Sequence, residues 1–200
     1  AVLYKLDGQG GSVWSRRWNG TGGVLGRALA VGAGSIVVAG NYRGEVDGDP
    51  GVGERVLGTE GGVEGFMVKL DSAGMYGWSH RFGGSGDESL TSVAVDERGG
   101  VYVGGMFHGE VDLDPGVGTA KQVANGGGEE GFVVKLESTG AYAWSKVFGG
   151  AADDHVQSVA VDRFGDVYAA GYFGGTADLD PGAGQAVASS AGGQDAFVVK

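Results

Sequence analysis

The stretch FMVKLDSAGMYGWSHRFGG at residues 66–84 recurs almost letter for letter as FVVKLESTGAYAWSKVFGG at 132–150. A looser copy, VLYKLDGQGGSVWSRRWNG, occupies 2–20, and FVVK opens a fourth at 197. The copies step by 64, 66 and 65 residues. A period of this size means one supersecondary unit used several times, so the fold is to be read from that unit. The repeat assigns residues 1–200 to a single array, with units of approximately 1–64, 65–130 and 131–195, and 196–200 opening a further one. Ala1–Lys5 aligns with Ala196–Lys200, with neither an initiator Met nor a signal peptide, so the chain is expected to be an excerpt from a longer array.

Within one period, LTSVAVD at 90–96 alternates small and apolar positions, meets ERGG, and is followed by VYVGGMF at 101–107. This reads as a hairpin, with Asp96 and its counterpart Asp162 capping the turn and Gly32 standing in their place in the first copy. A Gly-rich connection follows, with a short extra strand expected near 120–124. FVVKLE and AYAWSKVF then form a second hairpin around STG. Along FVVKLE, Phe132, Val134 and Leu136 share one face and Val133, Lys135 and Glu137 the other, the first face being expected to be the more buried. Four antiparallel strands per ~65-residue repeat, with Gly turns and no helical periodicity, are the content of one β-propeller blade. The fold class is therefore all-β, with three repeats forming a partial ring or a fragment of a longer propeller. Trp14, Trp78 and Trp144, at equivalent places in the last strand, read as inter-blade packing residues rather than sugar-stacking platforms. On that reading Trp144→Ala empties a core site, at a cost of about 3–5 kcal/mol.

Composition narrows the function. Acidic residues outnumber basic ones by 25 to 14, a net charge of -11 that repels a phosphate backbone and argues against nucleic-acid binding. No apolar run reaches the length of a transmembrane helix, and the absence of cysteine removes disulfides and thiol chemistry. The three histidines, His80, His108 and His155, replace unlike residues in the other copies and read as variable surface positions. No nucleophile elbow, metalloprotease helix, phosphate loop or Cys/His cluster is present in the sequence, so no catalytic residue is assigned.

The most suggestive motif is D-x-D-P-G, found once per period with Asp47 and Asp49, Asp112 and Asp114, and Asp178 and Asp180. Two carboxylates two residues apart before a Pro-Gly turn can converge with backbone carbonyls on calcium, which accepts flexible oxygen-rich shells. The same residues also read as turn chemistry, the Asp side chains capping backbone N–H groups and Pro-Gly fixing the geometry. Two further acidic groups recur: Asp87-Glu88 and Asp153-Asp154, read as a solvated turn, and Glu64, Glu129-Glu130 and Asp195, read as surface partners for a neighbouring Lys. Such surface pairs contribute below about 1 kcal/mol.

EGFMVKL, YGWSHRFGGSGDES, SVAVD and VYVGG together resemble the bacterial β-propeller repeat family of SBBP type, often called the seven-bladed repeat. The likeness covers essentially the whole chain, although in the first copy NGTGGV replaces GGSGDES and Trp18 stands where Phe82 and Phe148 stand. The resemblance implies a secreted or cell-surface bacterial protein, not an enzyme, in which propellers act as structural, adhesive or ligand-presenting modules. Its expected partners are other blades of the same or a neighbouring chain and a surface protein or glycan. Two alternatives remain at this point: a self-assembling filament or sheath subunit, and a carbohydrate-binding or hydrolytic propeller using the central opening.

Overall fold

The computed structural model describes residues 1–200 and contains strands but no helix. The strands are β1 (Val2–Leu6), β2 (Ser12–Arg17), β3 (Val24–Gly32), β4 (Ser35–Tyr42), β5 (Val46–Asp47), β6 (Val56–Leu57), β7 (Glu64–Asp71), β8 (Tyr76–Gly84), β9 (Glu88–Val95), β10 (Val101–His108), β11 (Glu110–Asp112), β12 (Lys121–Val123), β13 (Glu129–Leu136), β14 (Tyr142–Gly150), β15 (Asp154–Val161), β16 (Val167–Asp178) and β17 (Val187–Val199). Antiparallel pairing orders β3-β4-β7-β8 as a first four-stranded unit and β9-β10-β13-β14 as a second. β15, β16 and β17 make a third group of the same order, and β1 pairs with β2 alone. These hydrogen-bonded groups are cut at different places from the sequence period.

The turns follow from short polar signals. Asp96 Oδ1 accepts the N–H groups of Arg98 and Gly100 at 2.8 Å each, and Tyr102 donates its hydroxyl to Asp96 Oδ2. Asp162 does the same for Phe164 and Asp166, with Tyr168 behind it. The left-handed position each turn requires is filled by glycine, Gly99 at φ 83° and Gly165 at φ 85°. In the first unit, where Gly32 replaces the Asp, a two-residue turn is built instead from Ala33 and Gly34, both at positive φ.

Two irregularities recur in every copy. Arg27, Thr91 and Gln157 are extra residues opposite the second strand, and Val13, Gly77 and Ala143 are extra residues in the strand carrying the Trp. Such bulges sharpen the local twist of the sheets.

The units stack face to face, so both faces of the middle strands are covered. Val37, Ala39, Met67 and Phe82 of the first unit pack with Leu90, Val103, Phe132 and Val134 of the second. Ile36, Val38, Phe66 and Val68 belong to a cluster on the other face, against which Leu3 and Trp14 pack. Val133 joins the cluster shared with the third group. As expected, Phe132, Val134 and Leu136 make the more buried face; on the other, Val133 is buried against the neighbouring unit, while Lys135 is half-buried and Glu137 exposed.

The repeated Trp does sit between units. Trp78 donates Nε1–H to the Ser138 carbonyl of the second unit at 3.2 Å, and Lys69 Nζ reaches the same carbonyl at 3.0 Å. Yet Trp14, Trp78 and Trp144 are half-buried rather than core residues, so the full core cost assigned to Trp144→Ala is too high.

Candidate functional site

Between the second and third strands of each unit the chain leaves the sheet as a small hairpin carrying D-x-D-P-G. These are β5–β6, β11–β12, and the pairing of Thr176–Asp178 in β16 with Val187–Ser189 in β17. Each hairpin reaches back to the preceding unit. Val111 and Asp112 pair with Gly84 and Gly83 at the end of β8, and Ala177 and Asp178 pair with Gly150 and Gly149 at the end of β14. Val46 bridges to Gly20, just beyond β2.

The three loops have one hydrogen-bond pattern. Asp47 Oδ1 accepts the N–H of Asp49 at 3.0 Å and of Arg55 at 2.9 Å; Asp112 Oδ1 accepts those of Asp114 and Ala120, and Asp178 Oδ1 those of Asp180 and Ala186. The second Asp of each pair, Asp49, Asp114 or Asp180, accepts the N–H of Gly51, Gly116 or Gly182 at 2.7–2.8 Å. A Cβ on Gly53, Gly118 or Gly184 would overlap that second carboxylate, which accounts for a further glycine recurring two positions after Pro-Gly. The N–H groups of Ala186 and Asp180 hold the Asp178 carboxyl below the usual carboxylate range.

Calcium requires six to eight oxygens, whereas here N–H dipoles converge on one oxygen of every carboxylate. No group of three or more His, Cys, Asp or Glu side chains is placed to hold a metal ion. The arrangement favours turn chemistry for all six Asp residues. Asp112→Ala is accordingly expected to lose about 1–2 kcal/mol through its unpaired N–H groups. The unfolding midpoint should be the same in EDTA as in millimolar calcium. A calcium-specific rise, about 2.7 kcal/mol per site at a hundred times the dissociation constant, would instead assign these loops to the metal.

Adjacent hairpins wall off polar grooves. The first, about 680 Å³, runs from Arg55 and Glu60 across Ser79–Arg81 and Gly83–Ser85 to Glu110, Asp114 and Lys121. Its charges are largely paired: Arg81 contacts Glu60 at 2.7 Å and Glu64 at 3.2 Å, and Lys121 contacts Glu110 at 2.7 Å. Burial lowers the pKa of His80, which packs on Trp78 with ring centroids 4.9 Å apart. The second groove, about 360 Å³, repeats the frame: Ser145 for Ser79, Gly149 for Gly83, and Asp178, Asp180, Pro181 and Gly182 for Asp112, Asp114, Pro115 and Gly116. The lining changes. Lys146 replaces His80, Val147 replaces Arg81 and Asn125 replaces Glu60.

Several residues read as surface groups are not. Glu64, Glu88, Glu130 and Asp154 are all no more than 2% exposed. Glu64 Oε1 accepts the Thr59 hydroxyl and the Glu60 N–H, Glu130 Oε1 accepts the Asn125 N–H, and Asp195 accepts the Ala191 N–H in the corresponding loop. Asp87 and Asp153 do lie in the turns, accepting the N–H groups of Val63 and Glu129 across the seam between units. Nor is His155 a free surface residue. Its Nε2 contacts Glu129 Oε2 at 2.5 Å, and the Tyr172 hydroxyl lies 2.6 Å from its Nδ1. In the neutral ring, Nε2–H donating to Glu129 leaves Nδ1 to accept from Tyr172, so the trio orients the imidazole and joins the second unit to the third. It lines neither groove. Glu129, His155 and Tyr172 are far apart in sequence and have no counterparts in the other copies, so no pattern announces them.

Comparison with known proteins adds one coarse point. No protein-family model matches the chain. It is 28% identical, over 163 residues and 70% of its length, to a protein of Acanthamoeba polyphaga mimivirus described as an uncharacterized WD repeat-containing protein, L264. The match spans only 12% of that relative. The likeness fits a β-propeller-type repeat. It does not single out the bacterial family that the sequence resembles. No helix is long and apolar enough to cross a membrane.

Proposed function

We propose that the chain is part of a non-enzymatic β-propeller, with four strands to a blade, that acts as a structural or adhesive module and presents the grooves between its hairpins to a protein or glycan partner. Its placement outside the cell, secreted or at the cell surface, rests on the sequence resemblance alone. The observation that carries the binding role is the contrast between frame and lining. Ser, Asp, Pro and Gly recur in both grooves, while the side chains facing the space differ, His80 and Arg81 in one and Lys146 and Val147 in the other. A constant scaffold with a changing lining suits recognition by repeat proteins, and a single reaction centre does not need it.

The test is a peptide array and a glycan array probed with the wild type, with Arg55→Ala/Lys121→Ala in the first groove, and with the exposed control Arg17→Ala. Saturable binding weakened at least about tenfold, or 1.4 kcal/mol, by the groove variant and not by the control is the expected result. Binding indifferent to the groove, or turnover of ester, glycoside or phosphoester substrates, would overturn the proposal.

A further inference from the structure

Beneath the first groove lies a buried carboxyl group that nothing described so far uses. Glu88, at the start of β9, is fully buried, and neither carboxyl oxygen has a hydrogen-bond partner. Its counterpart in the next seam is provided for: Asp154 Oδ2 accepts the Gly150 N–H at 2.7 Å and Oδ1 the Gly174 N–H at 3.1 Å. The glutamate is one methylene longer, and although the Gly84 N–H lies close enough to lower its pKa, it is not within hydrogen-bond geometry of either oxygen.

The charged groups acting on Glu88 are Glu64 from β7, Arg81 from β8 and its neighbour Asp87, with the buried Tyr42 of β4 in the same cluster. Arg81 is the cation of this set, and it is already committed to Glu60 and Glu64. Burial, and then the negative charge of Glu64, push the Glu88 carboxyl up to about 9. In the next seam the place of Arg81 is taken by Val147, and Glu130 is satisfied by the Asn125 backbone and side chain at 2.7 and 2.6 Å. The two seams thus share a backbone and differ in whether the acid has a donor.

The Arg81 node touches both walls of the groove. Through Glu64 it holds the loop after β6, by the Thr59 hydroxyl and the Glu60 N–H at 2.9 Å each. Through the end of β8 it adjoins Gly83 and Gly84, on which the β11 hairpin is paired.

We propose that Glu88 is a proton-operated latch under the first groove: protonated, it leaves the Glu60–Arg81–Glu64 chain intact, and ionised, it draws Arg81 away from Glu60 and loosens the groove wall. The latch does not depend on what the groove binds. The stability supported by the protonated group is whole below the ordinary carboxyl value of 4.5 and is lost progressively as pH rises toward 9.

The test is an NMR titration of the wild-type protein from pH 4 to 10, following the Glu88 Cδ carbon, the Thr59 methyl and, as an internal control from the unlatched seam, the Ala124 methyl. Glu88 is expected to titrate above pH 7, with Thr59 moving at the same midpoint and Ala124 not following. Glu88→Gln should abolish the Thr59 response. Relative to that variant, the wild type's unfolding constant should rise by up to about tenfold per pH unit between 5 and 9. A Glu88 midpoint below pH 6, or a Thr59 methyl that ignores it, would overturn the latch even if the variant failed to fold.

Discussion

Phe132→Ala is expected to destabilise the protein by about 3–5 kcal/mol, the usual range for emptying a buried aromatic site. The ring is fully buried at the seam between the first and second units, 6.3 Å from the Phe107 ring and in one cluster with Leu90, Val103 and Met67. Its loss opens a cavity lined by side chains of both units. In a chain of this length about 2–4 °C of midpoint accompanies each kcal/mol. Thermal unfolding should therefore shift by roughly 10 °C. A shift of only a degree or two would mean that the units are not packed against each other as described.

Gly105→Ala should also be damaging, by about 1–3 kcal/mol or more, for the opposite reason. A methyl there would overlap the Ser89 carbonyl oxygen of the adjacent strand and come within 2.9 Å of Phe132 Cζ. Gly40 and Gly171 stand in the same relation to Leu25 and Phe66, and to His155 and Phe197. Combining the two substitutions separates the contacts. Removing the Phe132 ring relieves one overlap but leaves the backbone one, so the double variant should be nearly as unstable as the sum of the singles. A double variant as stable as Phe132→Ala alone would show that the ring, not the carbonyl, excludes a side chain at position 105.

Much of the architecture was legible because it is local. Period-two alternation marked β9 and β13, β10 and β14 followed as their hairpin partners, and Asp96 and Asp162 announced their turns because an Asp before a glycine supplies the oxygen those N–H groups need. The hairpins were harder to find. Val46–Asp47 and Val56–Leu57 are two-residue strands, too short for any periodicity, and they are strands because they pair with each other, with Val46 also bridging to Gly20. The buried acids were misread for a similar reason. Glu64 looks like a surface partner for a lysine, and Glu88 like a solvated turn residue, until the next unit is stacked over them. The one local trace is the glycine pair at 83–84, where a Cβ on Gly83 would overlap the Glu64 carboxylate. Carboxylates at D-x-D-P-G carry the same letters whether they face a cation or an amide, and only the placement of the Arg55, Ala120 and Ala186 N–H groups favours one reading.

The hairpins that lean on the preceding unit bear on how such an array can grow. Their grip is made by main-chain hydrogen bonds at Gly83–Gly84 and Gly149–Gly150, a glycine pair present in both copies because a Cβ on Gly84 or Gly150 would overlap the hairpin's own carbonyl at Glu110 or Thr176. A segment duplicated by unequal recombination would arrive with its own clasp and dock on whichever copy came before it, without compensating substitutions in its host. Length differences can be absorbed in the same way. The loop between Asn125 and Glu130 is one residue longer than that between Glu60 and Glu64, yet both close on the same acid-to-amide bond. Selection is then left free to diversify the positions facing the grooves, where Glu60 and Asn125, and His80 and Lys146, have already parted.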